Sequence, residues 1–144
     1  MKKLFTSYYK KNSAGFTIVE LLIAIAIIAV LTAIVLFNVT AWINQSKDAS
    51  IQGNLSSILI NSSKYMDANS SYANFCTDPQ YTTPSAAITA IGGTTQSCNV
   101  TNIAFCACST LKAGGVFCVD STGAKKNVPS TDCATECPAT AACL

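Results

Sequence analysis

A run of twenty-two residues, Phe16 to Phe37, holds only three polar side chains, Thr17, Glu20 and Thr32, and no other feature constrains the fold so strongly. As an α-helix at about 1.5 Å per residue it reaches roughly 33 Å, enough to cross a bilayer core of about 30 Å. Lys2, Lys3, Lys10 and Lys11 precede it with no acidic residue before Gly15, and positive charge beside an apolar run is retained on the cytoplasmic side. The N-terminus is therefore expected inside and the rest of the chain across the membrane. A secretory signal peptide competes with this reading, but its apolar stretch is shorter, about 7 to 15 residues, and its small-residue cleavage site follows that stretch. Here the small pair Ala14-Gly15 comes first, so a peptidase acting there would remove the basic leader and leave the apolar helix on the mature protein.

Glu20 conflicts with a simple anchor, because a carboxylate within lipid costs about 2.5 to 3.5 kcal/mol on insertion scales and needs a partner. Cleavage after Gly15 would create one, the ammonium of a new N-terminus at Phe16, presented by a neighbouring subunit. The plainer alternative is a glutamate held near the headgroups by its place in the first helical turns.

The segment Lys10-Lys11-Asn12-Ser13-Ala14-Gly15-Phe16-Thr17-Ile18-Val19-Glu20-Leu21-Leu22 resembles the leader and class III signal of type IV prepilins and type II secretion pseudopilins. The resemblance covers Lys10 to about Ile34 well and the rest in outline. It implies a prepilin peptidase that cuts between Gly15 and Phe16 and methylates the Phe16 amine, with Glu20 guiding docking into a growing filament. It further implies residence in the inner membrane before assembly, inner-membrane assembly machinery as partner, and a helical homo-oligomer at the cell surface afterwards. One departure stands out: many pilins carry a helix-breaking proline near the end of the apolar stretch, where this chain reads Val35-Leu36-Phe37-Asn38. Without proline every N–H there can bond within the helix, so a straighter helix is expected.

Beyond the membrane, Ile51, Leu55, Ile58, Leu59, Ser62 and Met66 follow the spacing of one helical face, so the helix is expected to continue to about Met66, with Gly53 its weak point. Trp42 reads equally as an interfacial aromatic or a partly buried packing residue. Residues 67–93 read as loop, with a helical turn near Ser85 to Ala90. Asn102 to Cys108 alternates, with Ile103, Phe105 and Ala107 on one face. Val116 to Asp120 and Ala124 to Val128 follow after turns, which makes a three-stranded antiparallel meander over 102–128. The segment Phe117-Cys118-Val119-Asp120-Ser121-Thr122-Gly123 also resembles the second strand and turn of many small pilin heads. Pro129 to Leu144 reads as irregular and stapled down.

The expected architecture is α+β: a leader at 1–15, a membrane-spanning and filament-core helix at 16–37, its amphipathic continuation at 38–66, and a cysteine-rich head at 67–144. Cys76, Cys98, Cys106, Cys108, Cys118, Cys133, Cys137 and Cys143 all lie downstream of the apolar run, as an oxidising compartment for that end requires. Zinc is disfavoured by spacing, since only Cys133-x3-Cys137 resembles half of a structural site and Cys106-x-Cys108 is too close. Four disulfides are expected instead, each contributing about 2 to 4 kcal/mol. Their connectivity is open among 105 pairings, although Cys106 and Cys108 share a strand face and should not bond to each other.

A composition of 50% hydrophobic and 11% charged residues over 144 positions excludes a disordered polyelectrolyte. Nine lysines with no arginine and no histidine exclude most enzyme classes, because the usual general base and bidentate anion clamp are both missing. No catalytic residue, metal site or cofactor is expected. After loss of the leader five lysines face seven acidic residues, net −2, so direct nucleic-acid binding is not expected either. Asn-x-Ser/Thr triplets, among them those at Asn38, Asn54, Asn61, Asn69 and Asn99, occur at a frequency that abundant Ser and Thr would give by chance. The leading expectation is a pilus-like filament subunit. A minor pilin or secretion pseudopilin shares its residues, and a single-pass anchored cysteine-rich binding protein is the reading without a polymer.

Overall fold

The computed structural model describes residues 15–94 and 96–144; the basic leader before Gly15 lies outside the described residues. Helix α1 runs from Ile18 to Asn69. The chain separates into two compact units that part between Asn38 and Val39. In the first unit the apolar side chains from Ile18 to Leu36 are exposed, except Ala24, which is half-covered, and the backbone is helical through Ala29 to Asn38 where proline is missing.

In the second unit α1 is one-sided. Asp48, Ile51, Leu55, Ile58, Ser62 and Tyr65 are buried, at alternating spacings of three and four, which keeps one stripe facing one partner. Leu59 and Met66 flank the stripe, half-buried. Gly53 is exposed with open space around it, so it lowers helix propensity without breaking the helix. Trp42 is 74% exposed, which removes the packing reading for it within this unit.

The segment read as loop is mostly ordered structure. A 3-10 turn at Phe75–Thr77 leads into helix α2, Pro79–Ile91, in place of a single turn near Ser85. Asp78 caps it, its Oδ1 accepting from Gln80 N at 2.8 Å, and Pro79 occupies the first helical position. Pro84, which reads as a helix breaker, lies inside α2 and cannot donate to the Gln80 carbonyl. Asn61 of α1 supplies the missing bond, its Nδ2 donating to Gln80 O at 2.8 Å. Gly92 ends the helix in the left-handed region (φ 98°), and Gly93 N closes back on Ile88 O at 2.9 Å.

The sheet has four antiparallel strands in the order β1 (Gln96–Val100), β2 (Phe105–Thr110), β3 (Val116–Asp120) and β4 (Lys125–Val128), one more than expected. The added strand is Gln-Ser-Cys-Asn-Val, half-buried throughout, and its only apolar residues, Cys98 and Val100, make too short an alternation to mark a strand. The strand expected from Asn102 starts only at Phe105. Thr101 to Ala104 is a tight turn closed by Thr101 N to Ala104 O at 2.8 Å, and it leaves Ile103 81% exposed.

Both faces of the sheet are covered, by different chemistry. Phe105, Ala107, Phe117 and Val119 pack with the α1 stripe, Tyr72, Phe75, Tyr81 and Ile88. Phe75 is the hub, its ring centroid 5.3 Å from both Tyr65 and Phe105 and 6.0 Å from Tyr81. The opposite face presents Cys106, Cys108, Val116 and Cys118 to the C-terminal tail, where Cys133, Cys137, Ala141 and Cys143 complete a second buried cluster. The tail is not wholly irregular: Cys133–Glu136 forms a single turn, α3, capped by Asp132.

Candidate functional site

The residues singled out for processing and assembly meet at the start of α1. Thr17 is the residue before the helix and Glu20 lies in its first turn. Glu20 Oε2 accepts from Thr17 N and from Thr17 Oγ1, both at 2.8 Å, while Glu20 N donates to Thr17 Oγ1 at 3.2 Å. This is a reciprocal capping box, in which two helix-end N–H groups find partners on side chains. The pattern Thr-x-x-Glu before an apolar run carries that signal, and the reading of Glu20 as a charge in search of a partner overlooked it. Glu20 has an internal partner, although Oε1 receives no hydrogen bond within the described residues. Phe16 is 81% exposed beside it, and Gly15 has no neighbouring atoms where a Cβ would stand.

From this cap the helix presents apolar side chains all round. Ile23, Ala26, Ile27, Val30 and Leu31 line a shallow, almost wholly apolar groove of about 370 Å³, and Ile28, Leu31, Thr32, Val35 and Leu36 line another of about 270 Å³. Ala26, Ala29 and Ala33 lower the surface at three- and four-residue spacing, which permits close approach of a second helix. Thr32 hides its hydroxyl by donating to Ile28 O at 2.7 Å.

The cysteines pair as Cys76–Cys98, Cys106–Cys137, Cys108–Cys133 and Cys118–Cys143. The first ties the 3-10 turn to β1; the other three rivet the tail to the outer face of the sheet. Cys106 and Cys108 are not bonded to each other. Cys108 and Cys118 are directly opposite across β2 and β3, yet each bonds to the tail.

Two buried carboxylates that sequence reading passed over hold the head together. Asp48, on the α1 stripe, accepts from Lys112 N and from Ala113 N at 2.9 Å, fixing the β2–β3 turn to the helix. Its signal was its place three residues before Ile51 on the buried face. Asp120 accepts from Thr122 Oγ1 at 2.6 Å, Thr122 N at 2.8 Å, Cys143 N at 2.9 Å and Ala124 N at 3.3 Å. Burial by itself raises this carboxyl, but the four donors outweigh it and hold the group below the usual carboxylate range. Of the candidate glycosylation sites, the Asn54, Asn61, Asn69 and Asn99 amides all donate to main-chain oxygens, of Ser50, Gln80, Tyr65 and Cys137. The Asn38 side chain lies outside the described residues.

The apolar helix with a capping carboxylate at its start coincides with a known signature. Residues 10–36 match the prokaryotic N-terminal methylation motif. The chain carries a prepilin-type, class III signal. The motif supports a type IV pilin-like or pseudopilin substrate of prepilin peptidase. The signal and the apolar helix fit insertion into the membrane before assembly. No curated protein and no solved structure matches this prepilin-type chain.

Proposed function

We propose that the mature chain is a structural subunit of a type IV pilus-like extracellular filament, cleaved after Gly15 and methylated at Phe16. The observation that carries this reading is the state of α1 before Asn38: a prepilin-type helix whose large apolar side chains are exposed among the described residues. Such a surface is stable in lipid or against other helices and not in water. A subunit leaving the bilayer must therefore exchange lipid for copies of itself. The alanine steps at Ala26, Ala29 and Ala33 favour close helix packing in that exchange.

Glu20 acts in two stages. In the membrane the capping box with Thr17 satisfies Oε2 and shields part of the carboxylate's cost. On docking, the free Oε1 receives the Phe16 ammonium of a neighbouring subunit, and the cap need not break. Assembly then neutralises a charge that lipid disfavours, which gives the polymer a direction and a register. The head, with no exposed free thiol, forms the outer surface.

The test is the intact mass of this protein in material sheared from cells, with and without reductant. The expected species starts at Phe16, carries one extra methyl and gains two hydrogens for each of its four bridges on reduction. A full-length mass confined to membranes, with nothing in the sheared fraction, would refute the filament reading and favour a single-pass anchor.

A further inference from the structure

Three of the four bridges join cysteines that are not neighbours along the chain. Cys76 and Cys98 are consecutive, but Cys106, Cys108 and Cys118 bond to Cys137, Cys133 and Cys143, at separations of 31, 25 and 25 residues. With the N-terminus of α1 held inside, the tail crosses the membrane after the sheet. Each sheet cysteine on the outer face therefore reaches the oxidising side before its partner does.

These cysteines meet one another first. Cys108 and Cys118 are directly opposite in the β2–β3 hairpin, and Cys106 Sγ lies 3.3 Å from Cys118 Sγ, the two sulfurs belonging to different bridges. A disulfide sulfur has no hydrogen to donate, so this approach is a packing contact, and the hairpin by itself sets Cys118 beside β2. Ten or twelve positions separate Cys118 from the two β2 cysteines, and loop closure favours so short a span about threefold to fourfold over the native ones. An oxidising compartment thus meets a hairpin whose readiest bridge is a wrong one.

We propose that this chain is a client of a thiol–disulfide isomerase, a dithiol enzyme that opens a bridge between Cys118 and Cys106 or Cys108 and lets the tail replace it. The proposal rests on the export step of the filament reading, since the head must be oxidised as it crosses. An isomerase thiolate attacks one sulfur of the wrong bridge, forms a mixed disulfide with it and expels the other as a thiolate, which takes up a proton. The native tail partner of the captured cysteine then loses a proton, attacks that same sulfur and expels the isomerase thiolate, so no electrons are gained or lost. The released cysteine bonds its own tail partner, giving two electrons and two protons to a disulfide oxidant, as every newly made bridge does.

The finished fold ends the cycle. Cys106, Cys118, Cys133 and Cys137 are fully buried and Cys108 nearly so where the tail packs on the sheet, which closes the native bridges to an attacking thiolate. A hairpin without its tail presents the same face openly. Burial thereby gives a direction to an exchange that is neutral in electrons.

The test uses the processed full chain, reduced and unfolded, then diluted into detergent with a glutathione redox buffer, with and without substoichiometric protein disulfide isomerase. Samples alkylated at intervals are mapped bridge by bridge with mass spectrometry. Early samples should contain Cys118 bonded to Cys106 or Cys108, and isomerase should speed the appearance of the native bridges at least tenfold. An isomerase lacking its second thiol should be caught as a mixed disulfide on Cys106, Cys108 or Cys118 of the refolding chain and not on the finished one. Native pairing that never passes through the hairpin bridge, or a rate that isomerase leaves unchanged because the chain's own thiols carry out the exchange, overturns the proposal. Neither result depends on polymerisation: a chain that refolds in this way yet is missing from sheared material refutes the filament reading alone.

Discussion

The two halves of α1 obey the same helical geometry and face opposite problems. Before Asn38 the exposed side chains are apolar all round; from Asp48 onward a single stripe is buried and the rest is mostly polar, with Ile60 the large apolar exception. A stripe is the mark of a helix whose partner belongs to its own chain, whereas an all-round apolar surface needs lipid or other molecules on every side. The contrast divides labour along one element. The first half contributes to association and the second to the stability of the head, so a substitution in either should leave the other property nearly untouched.

The largest expected effect concerns assembly. Glu20→Ala should reduce sheared filament to background while the thermal unfolding of the head is unchanged, as immunoblots of sheared material and a calorimetric scan would show. Glu20→Gln keeps a group able to cap Thr17 but cannot pair with an ammonium; wild-type filament yield in that variant would sink the docking role. On the other side of the divide, Ile58→Ala should destabilise the head by about 2 to 5 kcal/mol, since Ile58 is fully buried in the stripe. Ile27→Ala, in the exposed half, should shift the head's denaturation midpoint by nothing measurable. Equal losses from the two would break the comparison.

Asp48→Ala leaves the Lys112 and Ala113 N–H groups without their acceptor and should cost about 1 to 3 kcal/mol. Amide exchange localised to the β2–β3 turn would report it. Asp120 gives a pH dependence. Its folded carboxyl titrates below its unfolded value, so its contribution is present above about pH 4 and is lost as pH falls through the lowered folded value. Denaturation midpoints measured downward from pH 5 should fall more steeply in wild type than in Asp120→Asn; identical slopes would remove Asp120 from the account. The smallest effect is a gain. Gly53→Ala, in open space on a helix, should stabilise the head by about 0.5 to 1 kcal/mol, readable as a raised denaturation midpoint.

Much of α1 was legible in order. The apolar run, the basic flank, the Ala-Gly-Phe junction and the stripe from Ile51 are all local patterns, and the helix overshoots the expected end at Met66 by only three residues. The head was less legible, for reasons that belong to particular residues. Pro84 reads as a breaker because the lost bond is visible in sequence, while the Asn61 amide that replaces it stands on another helix. β1 carries only the short alternation of Cys98 and Val100 among polar residues, and Ile103 reads as a strand residue although a turn ejects it. Thr17 was readable as a cap, and the search for a distant partner for Glu20 obscured the one three residues away.

By itself the sequence determined the properties that depend on neighbours a few residues apart: a helix long enough to span a bilayer, its capping pair, its signal for processing, and the stripe that a head would cover. Only the tertiary structure decided which cysteines bond, what Asp48 and Asp120 hold, and that two bridges pack sulfur to sulfur on one face of the sheet. Helical periodicity and capping are fixed by bonds between residues three and four apart. Disulfide partners and buried carboxylates are chosen instead by which strands and tails are brought within a few ångströms after the chain has folded, and no local pattern records that choice.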